Sequence, residues 1–258
     1  MRLTLLGTGT SFGVPQVGCD CAVCRSADPR DRRSRTSALV EGPEGTILID
    51  TPPELRLQLL GAGVRTVDAV LFTHAHADHV AGIDDLRVFS VNARRPVPVY
   101  GPAETIDRLR DGYRYIFDDA VRPPPGTSKP RLTPHVLEPG RTAQVAGMPV
   151  LPVPVPHGDT TVFGYRIGPL AYVTDVKQVG PDTVAALQGV EVLVLGALWW
   201  RPHPTHQSIG EAVAAAQAIG ARRTLLTHLT HETGHADLAA RLPPLIAPAS
   251  DGLVVEFP

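Results

Sequence analysis

The stretch Thr73-His74-Ala75-His76-Ala77-Asp78-His79 packs four potential metal ligands into six consecutive positions, directly after the apolar run Ala69-Val70-Leu71-Phe72. The run reads as a short buried strand. Side chains two apart on a strand point the same way, so His74 and His76 emerge on one side. A turn after them swings Asp78 and His79 toward a second point nearby. One site that keeps a water cannot absorb all four and still take ligands from elsewhere, so the spacing predicts two neighbouring metals. A purely structural role fits poorly, because each imidazole or carboxylate needs a polar partner once buried.

His74-x-His76-x-Asp78-His79 resembles the HxHxDH signature of the metallo-β-lactamase-fold hydrolases, and the resemblance runs the length of the chain. It implies an α/β fold of the four-layer αββα sandwich type. In that family the first two histidines hold one metal and the Asp-His pair the other.

Length and composition set the frame. A chain of 258 residues holds one sizeable domain or two small ones, and nothing in its composition asks for two, so a single domain over 1–258 is expected. Hydrophobic residues make up 43% and charged residues 19%, an ordinary globular balance. The formal charge of −2 gives no general attraction to nucleic acid or membranes, so an anionic substrate must be drawn in by a local site. No apolar run approaches the roughly 20 residues that cross a bilayer, and the N-terminus enters a strand pattern at once, so a cytoplasmic protein is expected. All three cysteines lie in Cys19-Asp20-Cys21-Ala22-Val23-Cys24, an odd, tight cluster that suits a metal better than a disulfide framework.

Arg2 to Leu6 reads as a first strand, and Gly7-Thr8-Gly9-Thr10-Ser11 as a tight turn without the Lys-Ser/Thr ending of a phosphate-binding P-loop. The cysteine loop follows, near 15–29, between Pro15 and Pro29. Its three thiolates leave a tetrahedral zinc one ligand short, and that ligand must come from far along the chain. Ser37–Val40 and Thr46–Asp50 read as a hairpin around Gly42-Pro43-Glu44-Gly45, with Asp50 a hydrogen-bond partner for a ligating imidazole. Pro53–Leu60, 84–92 and 102–115 read as helices, with a strand at Val97–Tyr100. The Pro-rich insert near 117–134 is irregular, either a flap over the site or a plain connection.

Strands around Gly147 lead to His157, and a hairpin through Gly168-Pro169 ends on Asp175, whose charge would be costly to bury unpaired. Glu191–Leu195 reads as a core strand, and Ser208–Ile219 as a helix with a serine cap and Glu211 in a capping box. Between them, prolines fix the backbone around two imidazoles in Trp199-Trp200-Arg201-Pro202-His203-Pro204-Thr205-His206. The strand Arg223–Leu226 runs into Thr227-His228-Leu229-Thr230-His231-Glu232-Thr233-Gly234-His235.

The family resemblance implies a role for most of these. His157 would complete the first metal site with His74 and His76, Asp175 would bridge both metals, and His228 would join Asp78 and His79 at the second. The Cys-x-Cys-x2-Cys loop, the Pro-His-Pro-Thr-His stretch and Thr-His-x2-His together look like the PhnP type, phosphodiesterases that open phosphoribosyl 1,2-cyclic phosphate. In that type the Gly-Thr-Gly-Thr-Ser turn lies near the active site. Cys19, Cys21, Cys24 and His231 would hold a separate structural zinc, with His235 in reserve for the fourth place. His206 would take part in catalysis beside Asp78, with His203 its competitor. The implied cofactors are two divalent ions, zinc or manganese, plus one structural zinc. The expected partners are a small anionic phosphodiester and a second copy of the chain, with neither membrane nor nucleic acid.

Charge counting supports a phosphoester independently. Two divalent ions bring four positive charges; Asp78, Asp175 and a bridging hydroxide remove three, leaving a centre that attracts phosphate. A protonated His206 would then neutralise a phosphoryl oxygen or donate to the leaving oxygen. The competing readings are a tRNase Z-like RNA-processing enzyme, which the acidic charge and short insert oppose, a thioester or lactone hydrolase, and a non-catalytic metal-binding scaffold of cofactor biosynthesis. The complete set of seven ligands favours catalysis.

Overall fold

Strands whose two faces are both apolar must be covered on both sides, and that requirement sets the architecture. The computed structural model describes residues 1–258. Its first half contributes β1 (Arg2–Gly7), β2 (Ser37–Glu41), β3 (Thr46–Ile49), α1 (Leu55–Gly61), β4 (Ala69–Leu71), α2 (Ala77–Val80), α3 (Arg87–Asn92), β5 (Val97–Gly101), α4 (Ala103–Gly112), α5 (Arg114–Phe117) and β6 (Leu132–Val136). The second contributes β7 (Ala143–Val145), β8 (Met148–His157), β9 (Thr160–Ile167), β10 (Leu170–Val173), α6 (Pro181–Leu187), β11 (Val192–Gly196), α7 (Ile209–Ile219), β12 (Arg223–Thr227), α8 (His235–Arg241), β13 (Ile246–Pro248) and β14 (Val254–Glu256).

Two seven-stranded sheets result, ordered β14-β1-β2-β3-β4-β5-β6 and β13-β12-β11-β10-β9-β8-β7. The pairs β14-β1, β1-β2 and β2-β3 are antiparallel, and β3-β4, β4-β5 and β5-β6 are parallel. The second sheet repeats that scheme, antiparallel from β7 to β10 and parallel from β10 to β13. Alternation assigns the faces. In β4, Ala69 and Leu71 enter the core between the sheets, while Val70 and the following Phe72 pack under α1, α3 and α4. In β11, Val192 and Val194 point between the sheets, and Leu193 and Leu195 meet α6, α7 and α8. The layers are therefore helix, sheet, sheet, helix, as the resemblance implied.

Differences from the sequence reading are local. The helix expected from Pro53 starts at Leu55, with Pro53 left in the preceding turn. The helix over 84–92 divides into a 3-10 turn, Ile83–Leu86, and α3. That over 102–115 breaks at Tyr113, whose φ of −116° and ψ of 42° leave the helical region. The irregular insert ends sooner than expected, because Leu132 already pairs with Val97. Its hydrogen bonds include Lys129 Nζ to the Asp118 carbonyl and Arg131 N–H to Ser90 Oγ of α3. β8 tolerates Pro152, Pro154 and Pro156 because β7 pairs only with Met148–Val150, so beyond it the edge needs no N–H donors.

Candidate metal centre

Site residues gather where parallel strands end, the usual position for ligands in such sheets. Asp50 follows β3, Asp175 lies just past β10 and His228 follows β12, with φ of 61°, 53° and 60° respectively. This left-handed backbone costs about 1–3 kcal/mol per non-glycine residue and recurs at functional sites. Here it marks three strand tips that line one cleft. His157 is the last residue of β8, and α2 supplies the expected turn that carries Asp78 and His79 away from His74 and His76.

Four overlapping groups have their ligand atoms within 4.8 Å of one another: His74-His76-His157, His74-His79-Asp175, Asp78-His79-His228 and His157-Asp175-His206. All seven expected ligands are thus brought together. Asp175 lies between the halves, with Oδ2 3.2 Å from His79 Nε2 and Oδ1 3.4 Å from His228 Nε2. Asp78 Oδ2 lies 3.5 Å and 4.0 Å from the same two nitrogens. Atoms sharing a tetrahedral ion at about 2.1 Å stand about 3.4 Å apart, so these spacings match ligands around common ions.

The far nitrogen of three imidazoles, His79, His74 and His157, is held in place, whereas His228 Nδ1 has no partner. Asp50 Oδ2 lies 2.7 Å from His79 Nδ1 and also accepts the Thr73 hydroxyl at 2.8 Å, while Asp50 Oδ1 accepts the Thr73 N–H at 2.8 Å. Asp50 is the orienting partner expected of it. The Thr73 hydroxyl, having given its proton to Asp50, accepts from His74 Nδ1 at 3.0 Å, and His157 Nδ1 donates to the Thr205 carbonyl at 3.0 Å. His74 Nε2, His79 Nε2 and His228 Nε2 are buried with no hydrogen-bond partner. Orphaned buried nitrogens are costly, and a cation removes that cost, so the residues fit divalent ions.

Protonation states agree. Burial, with neighbouring imidazoles, pushes His74 well below its ordinary value, leaving a lone pair free. Burial alone would raise Asp175, yet His228 and His79 hold it well below the usual carboxylate range. His79, despite burial, is raised well above its ordinary value by Asp175 and Asp50. Its Nε2 lies 3.2 Å from Asp175 Oδ2, and a cation bound between them would take the place of a proton there.

His206 joins the group and His203 does not. His206 Nδ1 is 3.6 Å from Asp175 Oδ1, and its ring lies 4.7 Å from both His228 and His157. His203 stands behind it at 5.2 Å, with Nδ1 accepting from Thr205. The protonated state expected for His206 is not that of the free site. Burial, then the neighbouring His228, brings it down to about 3, so the imidazole is neutral there.

The second cluster also forms. Cys19, Cys21, Cys24 and His231 lie within the same limit, with His231 Nδ1 3.4 Å and 3.3 Å from the first two sulfurs. The Cys24 amide and His231 lower Cys21 to about 6, whereas burial pushes Cys24 up to about 11. His235 is engaged elsewhere: its N–H donates to Asp31 Oδ1 at 2.6 Å, and its Nδ1 lies 3.3 Å from Arg33 Nη2. The Gly-Thr-Gly-Thr-Ser turn braces the metal end. The Thr8 carbonyl accepts from Leu229 N–H, one residue past His228, and the Thr8 hydroxyl donates to Asp251. Thr73 and Thr205, which aim three imidazoles between them, were missed in the sequence. Only the position of Thr73 beside the histidine motif could have signalled the first.

A family model for the beta-lactamase superfamily domain matches residues 45–229. A solved structure of a new diphosphatase from the PhnP family superposes with a TM-score of 0.91 at 38% identity, covering 100% of this chain and 98% of that one. The chain belongs to the PhnP family of the beta-lactamase superfamily. PhnP-family membership agrees with the cysteine cluster and the histidine-rich loops. An octanoyltransferase of Porphyromonas gingivalis is 41% identical over 256 residues, 98% of this chain but 51% of that protein, so the chain spans about half of that relative's length. Zinc-bound PqqB from Methylobacterium extorquens shares the fold, with a TM-score of 0.79 at 21% identity and full coverage of both chains. No helix is long and apolar enough to cross a membrane.

Proposed function

We propose that the chain is a metal-dependent phosphodiesterase that opens a small cyclic phosphodiester, phosphoribosyl 1,2-cyclic phosphate or a close relative. One observation carries this: the seven ligands converge in two adjoining sets around Asp175, with unpartnered Nε2 atoms aimed between them and His206 at the bridging carboxylate. His74, His76 and His157 would hold one ion, Asp78, His79 and His228 the other, and Asp175 both; Cys19, Cys21, Cys24 and His231 would hold a structural zinc. Divalent ions held by these residues would supply a water of lowered pKa and positive charge for a phosphoryl oxygen. Asp50 and Thr73 keep the His79 and His74 rings aimed, so little reorganisation is needed. His206 is neutral in the free site; the negative charge of a bound phosphate would raise its proton affinity, so that it takes a proton from solvent and gives that proton to the leaving sugar oxygen.

A diphosphate is the second reading, favoured by the PhnP-family relative named a diphosphatase. The same residues serve a P–O–P bond as well as a cyclic ester. Metal-analysed protein tested on a cyclic ribose phosphate, a nucleoside diphosphate compound, a linear aryl diester, RNA and a thioester separates the readings. The cyclic ester should turn over fastest; fastest turnover of the diphosphate transfers the assignment to the second reading, and fastest turnover of RNA or thioester removes both. No turnover with zinc or manganese would leave a metal-binding scaffold. His206→Ala should lower turnover about 100-fold or more with metal content unchanged, and unaltered turnover takes His206 out of the mechanism.

A further inference from the structure

Five residues at the end of β12 carry three functions. His228 enters the histidine-carboxylate cluster, His231 enters the cysteine cluster, and Glu232 reaches across to the loop that carries His203 and His206. Its carboxylate meets the Arg201 guanidinium in a fork, Nη1 to Oε2 at 2.7 Å and Nη2 to Oε1 at 2.6 Å. Arg201 in turn lies over the Trp199 ring, 3.8 Å from its centre, and His203 stands edge-on to that ring at 5.2 Å. From His203 to His206 is a further 5.2 Å.

The rest of this loop is anchored at its ends. Leu198 N–H donates to the Gln207 carbonyl, Gln207 N–H to Val176 and Ile209 N–H to Trp199. Between these ties the loop reaches three places: the metal cleft, through His206 and the Thr205 carbonyl; Glu232, through Arg201; and α8, where Arg241 lies over the Trp200 ring at 4.1 Å. Glu232 follows His231 directly in the chain, and its N–H donates to Thr230 Oγ1 at 3.3 Å. Leu229 N–H and Thr230 N–H tie the segment to Thr8 and Leu198, and because the cysteine loop has little regular structure, an ion among the three sulfurs would add the fixing of the His231 ring, and with it of Glu232.

We propose that Arg201 and Glu232 are positioning residues that couple the cysteine-histidine site to His206, so that occupancy of the former sets the placement of the latter. The proposal rests on the reading of His206 given above, but its physical core is a connection between two sites and can be measured without turnover. A planar guanidinium suits both contacts at once, because it pairs with a carboxylate through its edge and stacks on an indole through its face. Lysine cannot do both.

The test uses the full chain with Trp200→Phe, which leaves Trp199 as the sole tryptophan reporter. An organomercurial that titrates the three thiols releases the ion they hold, and Trp199 emission is followed. Release should shift the emission in this parent and leave it nearly unchanged in the Glu232→Gln version. The same shift in both, or none in the parent, overturns the coupling. A second arm reads catalysis on the aryl diester. Arg201→Lys and Glu232→Gln should each lower kcat about fivefold with little change in KM and with full metal content at both sites, the scale of one partly exposed ion pair. Combined with His206→Ala, neither should lower kcat further. Multiplicative losses would show that the pair acts elsewhere and overturn the proposal. If the wild type turns over none of the substrates while the emission result holds, the connection stands and the phosphodiesterase reading is what fails.

Discussion

Asp50 stands behind the centre and links two of its imidazoles, His79 directly and His74 through Thr73. Fully buried, it holds the His79 ring and takes both the N–H and the hydroxyl of Thr73, which in turn steadies His74. Asp50→Asn keeps the shape but offers an amide where His79 Nδ1–H needs an acceptor. The expected result is a 10- to 100-fold fall, roughly, in affinity for the more weakly held ion, read by chelator competition, with the cysteine site untouched. His235 carries a different prediction. Burial and the adjacent Arg33 lower its pKa below the ordinary 6.5, so between that folded value and 6.5 the unfolded chain binds the proton and the folded chain does not. Stability from this group is therefore full above pH 6.5 and is lost as pH falls through it. His235→Asn should flatten that acid-side loss in denaturant titrations at pH 5 and pH 8, whereas an unchanged slope would show that other groups carry it. Legibility at this scale followed chemistry. His74, His76, Asp78 and His79 announce themselves by crowding, while His157, Asp175 and His228 stand alone in sequence and were placed through the family motif. Thr205 was illegible and Thr73 legible only by its place beside the motif, because a threonine that aims an imidazole through its hydroxyl or its carbonyl looks like any other threonine.

The elements most easily read were those with a local cause. β4 and β11 are unbroken apolar runs, and α7 begins with both halves of a capping box, Ser208 Oγ accepting from Glu211 N–H at 3.3 Å and Glu211 Oε2 accepting from Ser208 N–H at 2.6 Å. Since α7 follows the loop that bears His206, its first turn fixes where that loop ends. Ser208→Ala should cost about 1 kcal/mol in denaturant unfolding without altering metal content. A loss of bound metal would mean that the cap also sets the loop. Elements with a non-local cause were missed. β13 and β14 are three residues each and exist because β12 and β1 offer them an edge. The left-handed turns at Asp50, Asp175 and His228 belong to the same class, since tertiary packing and not residue type imposes them.

At the scale of the molecule, two sheets with one scheme of antiparallel and parallel pairs face each other, and the cleft lies where their parallel halves end. This disposition lets short motifs far apart in sequence supply one centre: β3, β4 and α2 deliver Asp50, His74, His76, Asp78 and His79 from one sheet, and β8, β10 and β12 deliver His157, Asp175 and His228 from the other. The four layers were legible only through the family that the histidine motif resembles. The insert after α5 was legible only as irregular, because prolines report what a segment cannot form and not what it covers. The measurement that bears most directly on the proposed two-ion centre is metal content per chain, by elemental analysis after loading with zinc or manganese and removal of excess. Wild type should hold three ions and Cys21→Ser two, with Asp175→Ala losing ions only from the histidine-carboxylate centre. A single ion per wild-type chain, or loss of every ion on Cys21→Ser, would contradict it.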